Sequence, residues 1–431
     1  MPTATTLKNA AIVAGMSLAT LAGAELLFRH ALFNGWKSVA HLRQPGLYAK
    51  NYPDTTGAIF SQDYWTLYTL FGGERKPPEN PQKELGWSGY FDRETLVHQD
   101  AARVGKRRPV LLYGDSFSAC VNVDCFQDIL NVDSAFARDH YLLNYGVGGY
   151  GIDQIHLLCS RTVGMYERPF VVFGLMTRDM ERCMLHARIG QKPYYTLDGD
   201  SLVLHNTPID PDQQRYYDSH RPDITSYLWR LLQHRVTGDS LADGSGTEAF
   251  KAGMRDLTAA LLRATVRELR AKNVDALFLV FEPMYNTIGD WRSLYIRSVL
   301  ESEHVPYLFT GDIVWNDGYR QGNYARYEQL DNGHPTLYQN RLIGRAITRY
   351  LLDSTYADSL AAANTRRLAF LQAANDPATV EHYITKIFAD STWLASVMAK
   401  ALERGIPLDS MLRLDADWVR RSDSLERVRK P

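Results

Sequence analysis

The sequence predicts an α/β fold built on a parallel sheet, and three observations carry that prediction. Short apolar runs recur along the middle of the chain, at Val110–Tyr113, Tyr141–Tyr145, Phe170–Phe173, Ala276–Phe281 and Pro306–Phe309. Stretches with apolar residues at helical spacing lie between and after them: Ile152 to Val163, with Ile155, Leu158 and Cys159 on one face, then Met254 to Ala271 and Leu337 to Leu352. Glycine or proline closes most of the runs, at Gly114, Gly146, Gly174 and Glu282-Pro283. Uninterrupted apolar runs are strands buried on both faces. Alternating with helices, such strands form a parallel sheet covered on both sides.

Composition narrows the function classes. The chain has 431 residues, 45% hydrophobic and 23% charged, which suits one large domain with appendages or two domains. A formal net charge of −1 supplies no global field for nucleic acid. The 25 tyrosines and 8 tryptophans suit a surface that handles sugars, and equally suit ordinary core packing. The four cysteines, Cys120, Cys125, Cys159 and Cys183, lack metal-ligand spacing and allow three pairings. His186, His205 and His304 have no carboxylates at ligand spacing, so neither metal nor cofactor is expected.

Residues 1–33 hold an uncharged run, Ala10 to Ala24, preceded by Lys8 and followed by Glu25, Leu26-Leu27-Phe28 and Arg29. The run is long enough for a secretory h-region, with Ala22-Gly23-Ala24 as a cleavage pattern. Continued through Phe28, it is nearly a full membrane span. Export follows from either reading, anchored through this helix or released near Ala24. Residues 34–106 are irregular, with scattered aromatics (Trp36, Tyr64, Trp65, Tyr68, Trp87) and Pro77-Pro78, and are expected to drape over the core. Residues 107–353 carry the strand–helix alternation. They hold an insert at 180–247, in which Tyr194–Leu197, Asp198-Gly199-Asp200 and Leu202–Leu204 spell a β-hairpin. Residues 354–431 read as a helical extension, broken at Gly405-Ile406-Pro407, that serves packing or a protein partner.

Two short segments carry chemistry. Gly114-Asp115-Ser116-Phe117 sets a hydroxyl at the carboxyl end of the first strand, where open α/β sheets bind ligands. By itself the tripeptide is ordinary turn chemistry. A serine becomes a nucleophile only beside a base. Asp331-Asn332-Gly333-His334-Pro335, near the end of the alternation, offers one: a carboxylate three residues before a histidine can orient the ring and leave its other nitrogen facing outward. The glycines at 146–151 have the wrong spacing for a dinucleotide loop.

Together with Asn144-Tyr145-Gly146-Val147-Gly148-Gly149-Tyr150-Gly151-Ile152-Asp153-Gln154, these segments resemble the signature blocks of the SGNH (GDSL-type) hydrolases over roughly Val110 to Leu352. The resemblance implies a flavodoxin-like three-layer α/β/α sandwich with a five-stranded parallel sheet, shared by esterases, lipases and carbohydrate O-acetyl enzymes. It implies Ser116 as nucleophile, His334 as base, Asp331 as its orienting acid, and the N–H groups of Ser116 and Gly149 as oxyanion donors. Asp115, Asn144 and Asp179 would support the site, Asn144 by pinning its loop. Strands one and three are neighbours in that fold, which allows a Cys120–Cys183 bridge in an oxidising compartment, with free buried thiols as the alternative.

One block departs from the pattern. Gly174-Leu175-Met176-Thr177-Arg178-Asp179 has Arg178 where the family carries an asparagine oxyanion donor. A guanidinium can donate to an oxyanion, pair with Asp179 or Glu181, bind an acidic substrate, or mark lost hydrolysis. The leading expectation is an exported, membrane-tethered serine esterase acting on an acyl ester, an O-acetyl group on a glycan above all. An O-acetyltransferase with the same triad and a non-catalytic glycan-binding scaffold are the alternatives.

Overall fold

The computed structural model describes residues 4–49, 61–72, 78–237, 244–283, 290–315, 317, 326–329, 332–376 and 378–429. The five apolar runs form one sheet of β1 (Arg108–Gly114), β2 (His140–Gly146), β3 (Phe170–Met176), β4 (Asp275–Phe281) and β5 (Tyr307–Phe309). Their order is β2-β1-β3-β4-β5, and every neighbouring pair is parallel. This is the doubly wound order of flavodoxin, whose direction of winding reverses between β1 and β3. Sequence spacing ends β3 at Phe173, but the strand continues because Gly174, Leu175 and Met176 find register partners in Leu279, Val280 and Phe281.

Alternate strand residues point to opposite faces, and each face finds its helices. Val110 and Leu112 join Leu142, Val172, Leu277 and Leu279 in a cluster with Phe126, Leu130 and the Ile343, Ala346 and Ile347 side chains of the helix Leu337–Leu352. From the other face, the Tyr113 hydroxyl meets Thr162 of the helix Ile152–Thr162 at 2.8 Å. His156 of that helix in turn bonds Thr265 of the long helix Gly244–Ala271 at 2.9 Å.

Burial pushes the His156 imidazole down to about 4. The unfolded chain therefore binds a proton there between pH 6.5 and about 4 that the folded chain excludes. The sign follows: the contribution is intact above pH 6.5 and is lost as pH falls toward 4. At pH 5 the loss amounts to about 2 kcal/mol. A His156→Gln variant is expected to flatten the fall in Tm between pH 7 and pH 5, measured by calorimetry.

The chain divides into two compact units. One takes residues 88–183, 195–204 and 255–431 and contains the sheet. The other takes residues 1–87, 184–194 and 205–254 and has apolar clusters of its own. One cluster joins Leu32, Tyr48, Leu67, Ile224 and Tyr227; a second joins Leu70, Ala187, Tyr216 and Tyr217. The 34–106 segment is thus not one draped strap. As far as Trp87 it builds a core with pieces of the insert, helped by the helix Gln62–Phe71, which Ser61 caps by accepting the Tyr64 N–H at 3.1 Å. The expected hairpin is present as Tyr194–Asp198 and Ser201–His205, turning at Gly199 (φ +58°).

At the amino terminus, Ala4–Phe33 is one helix, and its Ala11–Phe33 portion is long and apolar enough to cross a membrane. Ile12, Val13, Met16, Leu18 and Leu21 are all exposed along it. At the carboxyl terminus, Val380–Ala389, Ser391–Arg404 and Leu408–Arg429 pack through Ile384, Ile387, Val397 and Met411. The helix Thr365–Ala374 sends Arg367, 2% exposed, to Glu282 Oε1 at 2.7 Å and Asp312 Oδ1 at 2.6 Å. Arg297 reaches Asp312 Oδ2 at 2.8 Å.

Candidate active site

The carboxyl ends of β1, β2 and β3 make room for a very short helix, Ser116–Ala119. A Cβ on Gly114 or Gly174 would fall within 2.5 Å of Ser118 Oγ, and one on Gly146 would fall 2.5 Å from the Ala119 nitrogen. Side chains at these three strand ends would therefore displace the helix. Asp115 caps it, its Oδ1 accepting the Phe117 N–H at 2.8 Å. Ser116, first in the helix, stays half-buried.

His334 meets that serine from the far end of the alternation, 218 residues away, with Nε2 2.9 Å from Ser116 Oγ. Its ring lies against Phe117, centroids 4.8 Å apart. Its protonation follows from the neighbours. Asn332 Oδ1 accepts the His334 backbone N–H at 2.9 Å, which fixes that atom as the amide oxygen. The same oxygen lies 3.1 Å from His334 Nδ1, so Nδ1 carries the proton and Nε2 is left to accept from the serine. Gly333, at φ +70°, turns the chain between the two residues. Asp331, the acid expected from the sequence, lies outside the described residues. Two polar residues had no sequence signal beyond proximity: Asn332, and Gln329, which donates to Val121 O at 2.7 Å and Pro335 O at 3.0 Å and accepts the Asn332 amide.

The loop after β2 closes another side. Val147 N–H bonds Gly114 O at 2.9 Å, and a Cβ on Gly148 would touch Ser116 Cβ at 3.9 Å. Gly149 has φ +86°, a conformation that favours glycine. Asn144 holds the loop by donating to Ser118 O at 2.8 Å while its Oδ1 accepts the Gly146 N–H at 2.9 Å. The cysteines pair Cys120 with Cys125, both beside this helix, while Cys159 and Cys183 are buried thiols outside any disulfide. A bridge from Cys120 to Cys183 does not form; the partner five residues along the chain is nearer to hand.

Beneath the serine lies a buried ionic cluster centred on a residue that sequence reading missed. Arg182 Nη1 reaches Asp115 Oδ2 at 2.7 Å, Asp179 Oδ1 at 2.5 Å and Tyr150 O at 3.1 Å. One guanidinium thereby ties together the loops after β1, β2 and β3. Burial opposes its charge, but Asp179 and Asp115 outweigh that and hold it above its ordinary range. Asp179 Oδ2 also accepts the Met176 N–H at 2.8 Å. A buried arginine followed by no hydrophobic period leaves no trace in sequence spacing, and its role emerges only from the three loops it joins.

Of the roles the sequence leaves open to Arg178, the pair with Asp179 or Glu181 does not form. Asp179 is held by Arg182, and Glu181 by Arg292, which also binds Asp290 at 2.7 Å. Among the described residues no hydrogen bond or ion pair reaches the Arg178 guanidinium, and its Nε is buried without an acceptor. Burial pushes its pKa below the ordinary arginine range, partly offset by the charge of Asp290. No group of histidine, cysteine, aspartate and glutamate among the described residues could hold a metal ion.

No family model matches the chain, and no curated protein sequence does. Among solved structures it is similar to a mutant acetyl-xylooligosaccharide esterase from Geobacillus Stearmophilus, at 12% identity and a TM-score of 0.30, over 57% of this chain and 94% of that one. It is similar to a GDSL-like lipase from Parabacteroides merdae at 14% identity and a TM-score of 0.29, over 56% and 94%. It is similar again to an α/β hydrolase enzyme from the metagenome of Lake Arreo, Spain, at 14% and 0.28, over 56% and 94%.

Proposed function

We propose that this chain is a serine esterase in which Ser116 attacks the carbonyl of an acyl ester. The observation that carries the reading is the 2.9 Å contact from Ser116 Oγ to an Nε2 that Asn332 leaves unprotonated. His334 takes the serine proton as the Oγ–carbonyl bond forms, then returns it to the departing alcohol. The N–H groups of Ser116 and Gly149 are assigned to the oxyanion, and Asp331 keeps the orienting role its place in the sequence gives it. Water, activated by the same imidazole, then cleaves the acyl-enzyme.

The substrate we assign is an O-acetyl ester on a glycan outside the cytoplasm. Export is supported by the apolar amino-terminal helix and by the Cys120–Cys125 bridge, since disulfides persist in oxidising compartments. Flanking charge does not carry it, with Lys8 before the span and Lys37 and Arg43 after it. Acetate release from an acetylated oligosaccharide, beside hydrolysis of p-nitrophenyl acetate, tests both levels. Cleavage of neither refutes the esterase; cleavage of the small ester alone refutes the glycan.

Arg178 is assigned as the side-chain donor to the oxyanion, because its guanidinium is uncommitted among the described residues. An Arg178→Ala variant is expected to lose roughly 10²–10³ in kcat with KM little changed, the usual cost of one such donor. A rise in KM with kcat intact would assign Arg178 to substrate binding instead.

A further inference from the structure

The unit that holds the amino-terminal helix contains a second helix with an apolar face that no described residue covers. Tyr227–Thr237 reads Tyr-Leu-Trp-Arg-Leu-Leu-Gln-His-Arg-Val-Thr and has no acidic residue. Tyr227 is buried in the unit's core and Leu231 packs against it, one turn on. Trp229 and Leu232, three residues apart on the other side, are 61% and 49% exposed. A tryptophan and a leucine side by side in water cost free energy unless something covers them.

The attachment of this helix identifies what covers it. Glu25 of the amino-terminal helix caps its first turn, accepting from Ser226 Oγ at 2.7 Å, Tyr227 N–H at 2.8 Å and Leu228 N–H at 2.9 Å. Arg29, one turn further, donates to Ile224 O and Thr225 O at 2.6 Å each and lies 5.2 Å from the Tyr227 ring centre. The Trp229 N–H donates to Ser226 Oγ at 3.0 Å, so two hydrogen bonds separate its backbone from Glu25.

Glu25 lies almost two thirds of the way along the apolar span Ala11–Phe33. Counted from Ala11 at 1.5 Å per residue it stands about 21 Å in, about 9 Å short of the far edge of a ~30 Å hydrocarbon layer. Leu32, however, is buried in the unit's own core with Phe28 and Phe33 packed against it, so the helix leaves the lipid just beyond Glu25. Leu26 and Leu27, exposed beside it, continue the lipid-facing surface past the carboxylate. Trp229 therefore sits at the level where a bilayer gives way to headgroups, the depth tryptophan favours. Arg230 and Arg235 on the same helix supply the cations that anionic headgroups attract.

We infer that Tyr227–Thr237 is an interfacial helix that seats Trp229 and Leu232 in the headgroup layer beside the chain's own anchor. The occupant of the apolar face is the lipid surface. The unit would then meet the membrane at two points, a span and a helix lying on the surface, and its rotation about the span would be restrained. This rests on the reading of Ala11–Phe33 as an anchor.

Site-directed spin labelling of the full chain in phosphatidylcholine–phosphatidylglycerol vesicles tests it. Labels go on Trp229→Cys, Leu232→Cys, Leu18→Cys in the span and Arg138→Cys on an exposed surface. Collision rates are read with oxygen, which partitions into lipid, and with a nickel chelate, which stays in water. Labels at 229 and 232 are expected to lose nickel collisions several-fold relative to position 138, with values between those at 138 and 18. If 229 and 232 match 138 while 18 reads the bilayer interior, the interfacial helix is refuted and the anchor stands. If position 18 reads water as well, the anchor reading falls and the inference with it.

Discussion

Ser116→Ala is expected to abolish labelling by a fluorophosphonate probe and to lower kcat for p-nitrophenyl acetate by roughly 10⁶-fold, the cost of removing an activated serine from a working constellation. His334→Ala should cost nearly as much, because Ser116 Oγ has its 2.9 Å contact with this imidazole and no basicity of its own. The double variant should be no worse than either single one, since the two groups act as a unit. The readout is the rate of probe attachment, followed by mass spectrometry to find the modified residue. Labelling of Ser116 at an unchanged rate in His334→Ala would overturn the assignment of the base. Asp331→Asn and Asn332→Ala, measured in the same way, divide the orienting role between the two residues.

Arg182→Met is expected to be the most destabilising single change near the site. It leaves Asp115 and Asp179, both with fully buried side chains, without their shared cation. Removing one partner of a buried ion pair costs about 3–5 kcal/mol, because the remaining charge has nowhere to be solvated. Two carboxylates close together and unneutralised would be held above their ordinary range, so the folded variant would take up protons that the unfolded chain does not. The sign is definite: the deficit is largest at neutral pH and shrinks as pH falls toward the raised values. Thermal unfolding from pH 7 to pH 5 should show the gap from wild type narrowing. Adding Asp179→Asn should recover part of the loss at pH 7. A destabilisation independent of pH would show that packing around Met, not charge, is responsible.

The sheet was readable because burial on both faces makes each strand a continuous apolar run, and because Gly114 and Gly146 end β1 and β2 where the helix Ser116–Ala119 needs room. Ser116 and His334 were readable because turn glycine and proline flank them. Other features had no local signature. Arg182 acts on three loops at once, and its spacing to Asp179, one helical turn, is that of countless surface pairs. The division of the chain into two units was hidden because Ile224, Tyr227 and Leu67 come from distant segments and none has a period long enough to announce a core. The Arg178 environment could not be anticipated, since the acids next to it in sequence are claimed by Arg182 and Arg292 from elsewhere. Cysteine pairing was undetermined for the same reason: four residues allow three schemes, and only geometry selects among them.

The Arg367 contact bears on how long this chain has to be. Asp312 would retain Arg297 if everything beyond residue 353 were removed, but Glu282, 4% exposed at the end of β4, would be left with the Gly311 N–H as its remaining side-chain partner among the described residues. A counter-ion supplied from 85 residues downstream makes the carboxyl-terminal helices part of the sheet's electrostatics. Ribosomal synthesis completes β4 well before that arginine exists, so this ion pair can form only once the last segment arrives. A shorter relative with the same sheet would be under pressure to carry glutamine or an apolar residue at the position of Glu282, and the identity of that one side chain would report whether the extension is present.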